Sequence, residues 1–221
     1  MSPSQCECHN DPRGSINNVA NKNDLPPTFR EAPWERELTP TKMDKERLLL
    51  ISDIPGFTPQ IGHLVSMMNY ARWTTLQAVE GLTSAELDHL YDEQSNSIGA
   101  LLRHIAAVEV AYQARSLWRR ELSPSELSEW EAALELGERA RREIRGFTLE
   151  DHLEALNRVR TNTLQALAKH DDGWLHEEVP FWGGRPANNW FQWFHVLEDE
   201  VNHRGQIRWL RKRLPCRREP R

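Results

Sequence analysis

Trp193-Phe194-His195-Val196-Leu197-Glu198-Asp199-Glu200-Val201-Asn202-His203-Arg204-Gly205-Gln206-Ile207 is the stretch on which the reading of this chain turns. As one helix it places Asp199 and His203 four apart, on one face. With His203 at zero and about 100° per residue, Val196, Ile207, Leu210 and Leu214 fall within roughly 40° of it. The carboxylate and the imidazole therefore lie inside an apolar stripe. Such groups enter a core only for a strong reason, and a bound metal ion is one of the few good ones.

Outward from this stretch, the chain shows three more long periodic segments. The first runs from about Pro59 to Glu80, with Ile61, Leu64, Val65, Met68, Leu76 and Val79 on one face. The second opens at Ser97, a suitable N-cap, and runs to about Arg119 with Leu101, Ile105, Val108 and Tyr112 inward. The third begins at Thr148 and carries Leu149, Leu153, Leu156, Leu164 and Leu167. The last helix extends from about Ala187 to Leu214, just before Pro215. A shorter helix is expected from Pro124 to about Leu136, capped by Ser123, and Ile51 to Pro59 reads as an extended lead-in. The pattern predicts an all-α fold, a four-helix bundle with a long connection between helices two and three that holds the short extra helix.

Composition agrees. The 221 residues are rich in Leu, Ala, Glu and Arg, with 3 Tyr and no long β-branched run, which favours helix. A formal charge of −5 argues against nucleic acid as the main partner. No apolar run is long enough to span a bilayer and no signal-peptide core opens the chain, so no membrane partner and a cytoplasmic location are expected. Residues 1–45 read as a disordered or loosely docked extension, 46–215 as the bundle and 216–221 as a basic tail. Cys6, Cys8 and Cys216 lie in terminal segments, too few and too dispersed for a disulfide framework.

The strongest chemical constellation joins Asp199 and His203 to His104, which lies at the edge of the second helix's inward stripe. Two imidazoles and a carboxylate can hold a divalent metal and leave a position open for water or substrate. The same residues also fit a buried His-Asp pair, each satisfying the other, with His104 a separate core histidine. Glu200, about 60° from His203, is an alternative carboxylate or a group that tunes the site. His195, four before Asp199, is a candidate general base. Arg160 sits at the centre of the third helix's apolar stripe, where it either pairs with a core carboxylate, the favoured reading, or receives a substrate carboxylate. Trp182 and Asn189 are candidates for the wall of a cofactor or substrate pocket. Glu109 is placed in a helix seam or on the solvated face, and His63 outward or in another seam. Trp190, Phe194, Leu197 and Val201 form a second apolar stripe, which implies a homodimer or packing by the 124–136 helix.

Ser97-Ile98-Gly99-Ala100-Leu101-Leu102-Arg103-His104-Ile105-Ala106-Ala107-Val108-Glu109, followed by Asn202-His203-Arg204-Gly205-Gln206-Ile207, resembles the DinB-like superfamily. The likeness covers about Ile54 to Leu214 and includes the Leu82-Thr83-Ser84-Ala85-Glu86-Leu87-Asp88 turn. It implies a four-helix bundle with a divalent metal held by three histidines, one from the second helix and a pair four apart on the last. His104 and His203 match the first and third of these, while Asp199 stands in the place of the second. Zinc is the first choice of metal, with nickel, iron or manganese as alternatives. The resemblance further implies a small-molecule substrate and a metal-dependent enzyme, either a thiol S-transferase using a low-molecular-weight thiol or a hydrolase. Many relatives have no known activity, so a non-catalytic metal- or ligand-binding bundle is the other expectation.

Overall fold

A computed structural model describes residues 48–215. In chain order the helices are α1 (Pro59–Val79), α2 (Ser84–Leu87), α3 (Ile98–Tyr112), α4 (Pro124–Glu135), α5 (Gly137–Glu143), α6 (Leu149–Leu167), α7 (Asp172–Leu175) and α8 (Asn189–Arg211). Between α7 and α8, strand β1 (Glu178–Pro180) pairs antiparallel with β2 (Pro186–Asn188), Val179 opposite Ala187. The fold is thus the expected all-α bundle, built from α1, α3, α6 and α8. The expected extension, its cysteines Cys6 and Cys8, and the tail with Cys216 lie outside the described residues.

Local chemistry sets the helix starts. The side chains of Ser97, Ser123 and Thr148 accept from the backbone N–H of Ala100, Glu126 and Asp151. At Ser123 and Thr148 the acidic residue three positions on reaches back to complete a capping box. Three differences from the sequence reading have physical causes. The connection between α3 and α6 holds two helices, α4 and α5, divided at Leu136, whose φ is 56°. Beyond Tyr112 the second long helix widens into a π-helical turn over Gln113–Leu117, where Ser116 Oγ donates to Tyr112 O at 2.7 Å and accepts from Trp193 Nε1 at 3.0 Å. Ala187 belongs to β2, and α8 begins after Asn188, whose side chain accepts from Phe191 N.

Around the bundle, α8 packs between α1 and α3, and α6 closes the ring against α3 and, more lightly, α1. The core divides into two apolar clusters. One gathers Val79, Leu101, Ile105, Leu156, Ile207 and Leu210; the other gathers Leu64, Met68, Leu164, Leu167, Trp193 and Val196. Between them, each long helix contributes one charge: Arg72 from α1, Glu109 from α3, Arg160 from α6 and Glu200 from α8, none more than 6% exposed. Arg72 Nε donates to Glu200 Oε1 at 2.8 Å and Nη2 to Glu109 Oε2 at 3.2 Å. Arg160 Nε donates to Glu109 Oε1 at 2.8 Å and Nη2 to Glu200 Oε2 at 3.0 Å. Thr163 Oγ1 adds a bond to Glu109 Oε1 at 2.6 Å. The four charges cancel, which lets them stay ionised in a low-dielectric interior. Burial opposes the Glu109 carboxylate, but Arg160 and Arg72 hold its pKa below the ordinary range.

Candidate metal centre

Glu200 anchors one side of α8 in this network, and the next-door Asp199 faces the seam between α8 and α3. There it meets His104 and His203: the Asp199 Oδ1 lies 3.7 Å from His104 Nε2 and 3.4 Å from His203 Nε2. The two imidazole rings stand edge to face with centroids 4.6 Å apart. One ligand atom from each residue falls within 4.8 Å of the other two. Donors about 2.1 Å from a tetrahedral ion are about 3.4 Å from one another, so the spacing suits a cation among the three.

The proton positions point the same way. His104 Nδ1 lies 2.7 Å from Ala133 O at the end of α4. A carbonyl only accepts, so Nδ1 carries a proton, and Nε2 is the ring atom turned to Asp199. His203 Nδ1 lies 3.2 Å from Gln206 Oε1, which selects the same tautomer. Two ring nitrogens and a carboxylate thus converge, and Asp199 Oδ2 is buried without a hydrogen-bond partner. Such a point favours positive charge, whether a proton or a metal ion. Burial would raise the Asp199 carboxyl, yet hydrogen bonds and charge from the facing histidines, when these are protonated, draw it down to about 2. Burial would lower the His203 imidazole, yet the Asp199 carboxylate lifts it above its usual value. These residues fit a divalent ion.

The other candidates separate into groups near and far from this cluster. His195 sits one turn before Asp199, with Nδ1 3.2 Å from Glu198 Oε2 and its ring 5.7 Å from Tyr112 and 5.1 Å from Trp182. Trp182 is 61% exposed and edges this corner. Glu200 departs from the sequence reading: its carboxylate is taken by two guanidiniums and stays out of the His-Asp cluster. Arg160 resolves to the internal pair, and its Nη1 also donates to Met68 O at 3.2 Å. Asn189 is fully buried at the root of α8, where Nδ2 donates to Trp174 O at 2.8 Å and Oδ1 accepts from Gln192 Nε2 at 3.2 Å. It locks the helix start. Glu109 lies in the core, off any solvated face, while His63 points outward to Asp53 as expected.

Sequence reasoning passed over Arg72, Glu198 and Gln206. Arg72 had a visible signal, because four residues after Met68 it lies mid-stripe, as Arg160 does. Gln206 and Glu198 act through i,i+3 contacts to His203 and His195. On exposed faces such pairs are too common to single out from spacing alone.

No described helix is long and apolar enough to cross a membrane. Among curated proteins no sequence matches the chain. Among solved structures, a conserved protein from Enterococcus faecalis superposes with a TM-score of 0.54 at 17% identity, covering 67% of this chain and 93% of that one. At this identity the likeness speaks to the fold alone. The sequence model of the Mycothiol-S-transferase family, a DinB-like family, matches residues 63–215, a span that includes His104, Asp199 and His203, and the chain belongs to that family.

Proposed function

We propose that this protein is a metal-dependent S-transferase that moves a low-molecular-weight thiol, of the mycothiol kind, onto a small electrophile. The carrying observation is the convergence of His104 Nε2, His203 Nε2 and Asp199 Oδ1 with both imidazole tautomers set by Ala133 O and Gln206. His104, Asp199 and His203 would hold the ion, with zinc the first choice for a two-nitrogen, one-oxygen set. When bound, a divalent ion supplies the charge that lowers the pKa of a thiol or water brought beside it toward neutrality.

The chain's own groups do the rest. Glu198 accepts from His195 Nδ1–H, leaving Nε2 as the proton acceptor, one turn from the ligand set. In transfer the thiol S–H bond breaks and its proton passes to His195. The sulfur electron pair forms the new bond to the acceptor carbon, and the leaving group departs with its bonding pair. Trp182, Tyr112 and Phe191 surround the His195 ring. Hydrolysis would use water in place of the thiol at the same residues; the family's thiol chemistry favours transfer. Reliance on a reduced thiol supports a cytoplasmic setting. Phe194 and Val201, 50% and 37% exposed, supply an apolar strip for a homodimer, because α4 packs on α3 and leaves that strip uncovered. Sedimentation of Phe194→Glu against wild type tests the dimer, which should fall to monomer.

Elemental analysis of the purified chain is the first experiment. We expect near one divalent ion per chain, lost in His203→Ala together with a lower Tm. Protein that stays metal-free after loading, with Tm unchanged in His203→Ala, would overturn the reading. Transfer of mycothiol to an alkylating electrophile, abolished in His104→Ala, then tests the chemistry.

A further inference from the structure

Helix α4 ends at Glu135 and α5 begins at Gly137, with no proline between them. Leu136, the residue at the break, has φ 56° and ψ −152°, beside a part of backbone space that is almost reserved for glycine. The glycine stands one position later, with φ 62°. A leucine in this conformation is strained, and such strain persists only where neighbours impose it. Here the Leu136 side chain packs against the cluster of Val79, Leu101 and Ile105, and Arg139 of α5 reaches back to Glu131 of α4 at 2.8 Å.

One helical hydrogen bond is missing at the break, and both of its halves are used elsewhere. In a continued helix Gly137 N would donate to Ala133 O. Instead Gly137 N donates to Asn96 Oδ1 at 2.9 Å, and Ala133 O accepts from His104 Nδ1 at 2.7 Å. Both side chains come from one neighbouring element. Asn96 directly precedes Ser97, whose side chain caps α3, and His104 lies about two turns further on. Ala133 is buried, so leaving its carbonyl without a donor would be costly.

We propose that Asn96 and Gly137 are positioning residues for His104. The inference rests on the metal-site reading above. By taking the Gly137 N–H, Asn96 keeps the break open and the Ala133 carbonyl free. That carbonyl holds a proton on His104 Nδ1 and leaves Nε2 as the atom facing Asp199, 3.7 Å away. The opposite tautomer would aim an N–H into the place of the ion and exclude it. Closing the helix across Leu136 returns Gly137 N to Ala133 O, and the imidazole loses its anchor. Strain at Leu136 thus serves the orientation of a ligand carried by another helix.

Long-range proton–nitrogen NMR of the full-length, metal-free protein reads the His104 tautomer directly in alkaline buffer, where imidazoles are neutral. The wild-type ring should carry its proton on Nδ1. In Asn96→Ala the Nε2–H form should gain population, and the zinc Kd, measured against a competing chelator, should rise roughly tenfold or more. Asn96→Asp keeps an oxygen for Gly137 N and should restore both readouts. Gly137→Ala reaches the same end by another route. A Cβ there meets nothing within 4 Å, but the positive φ disfavours alanine and pulls the segment toward a continuous helix. A purely structural role for these residues would lower Tm and leave the tautomer alone. An Nε2–H ring in wild type, or a His104 tautomer unchanged in both Asn96→Ala and Gly137→Ala, overturns the proposal. A tautomer that responds in both variants, in a protein whose wild type holds no zinc, sinks the metal reading and leaves the positioning role standing.

Discussion

At the residue scale, His152 carries a pH dependence that the metal centre does not explain. It is 1% exposed, and neither ring nitrogen has a hydrogen-bond partner. Burial first, then the Arg103 charge, push its pKa down from 6.5 to about 4. The unfolded chain therefore takes up the proton before the folded one does. Stability from this group is complete above about pH 6.5 and declines as pH falls through 6.5 toward 4. At about 1.4 kcal/mol per unit, roughly 3 kcal/mol is at stake. Urea titrations at pH 7.5 and 4.5 should show a larger loss for wild type than for His152→Leu. At the metal centre, Asp199→Asn keeps the shape and removes the anionic oxygen. We expect weaker metal retention and, in metal-free protein, a His203 imidazole that titrates lower than in wild type, measured by NMR. His195→Gln should leave metal content unchanged and lower kcat by roughly a hundredfold, the scale of a lost general base.

At the scale of elements, two glycines in long helices predict opposite outcomes. Near the start of α3, a Cβ on Gly99 would lie 2.9 Å from His152 Nε2 and 3.4 Å from Leu87 O. The ring cannot withdraw, because it is buried with Phe147 edge-on at 5.7 Å. Gly99→Ala should therefore destabilise the protein despite a propensity gain of up to about 1 kcal/mol, whereas Gly205→Ala, whose Cβ meets nothing within 4 Å, should stabilise by up to that amount. Thermal melts of the two single variants make the comparison. The reason is the same in each case: helix propensity is local, and only the neighbour across the bundle decides whether a methyl group fits.

For the whole molecule, the Arg72, Glu109, Arg160 and Glu200 set fixes all four long helices at one height. Its contacts hold Glu200 on one side of α8 and so turn Asp199 to the other. Removing one member leaves buried charge unpaired, so Arg160→Met should cost about 3 to 5 kcal/mol in denaturant unfolding. Replacing all four with apolar residues of similar volume should cost less than that single change. The quadruple variant should nevertheless hold metal more weakly if the network sets the rotation of α8. Retention of wild-type metal affinity in the quadruple variant would show that the apolar clusters alone set it.

Sequence by itself determined the bundle, because apolar spacing and N-caps such as Ser97, Ser123 and Thr148 act within a few residues. It also determined that Asp199 and His203 share a face and that His104 edges the inward stripe of the second helix, since helical geometry alone makes that so. Tertiary structure decided the rest. Whether Asp199 or Glu200 joins the histidines depended on two arginines from other helices, and the fate of Arg160 depended on Glu109. The carbonyl that holds His104 is freed through Asn96, 41 positions before its partner Gly137. Buried charges and bonds between distant segments are properties of surfaces brought together by folding. A one-dimensional period reports which face of a helix is apolar, but it carries no record of what stands opposite.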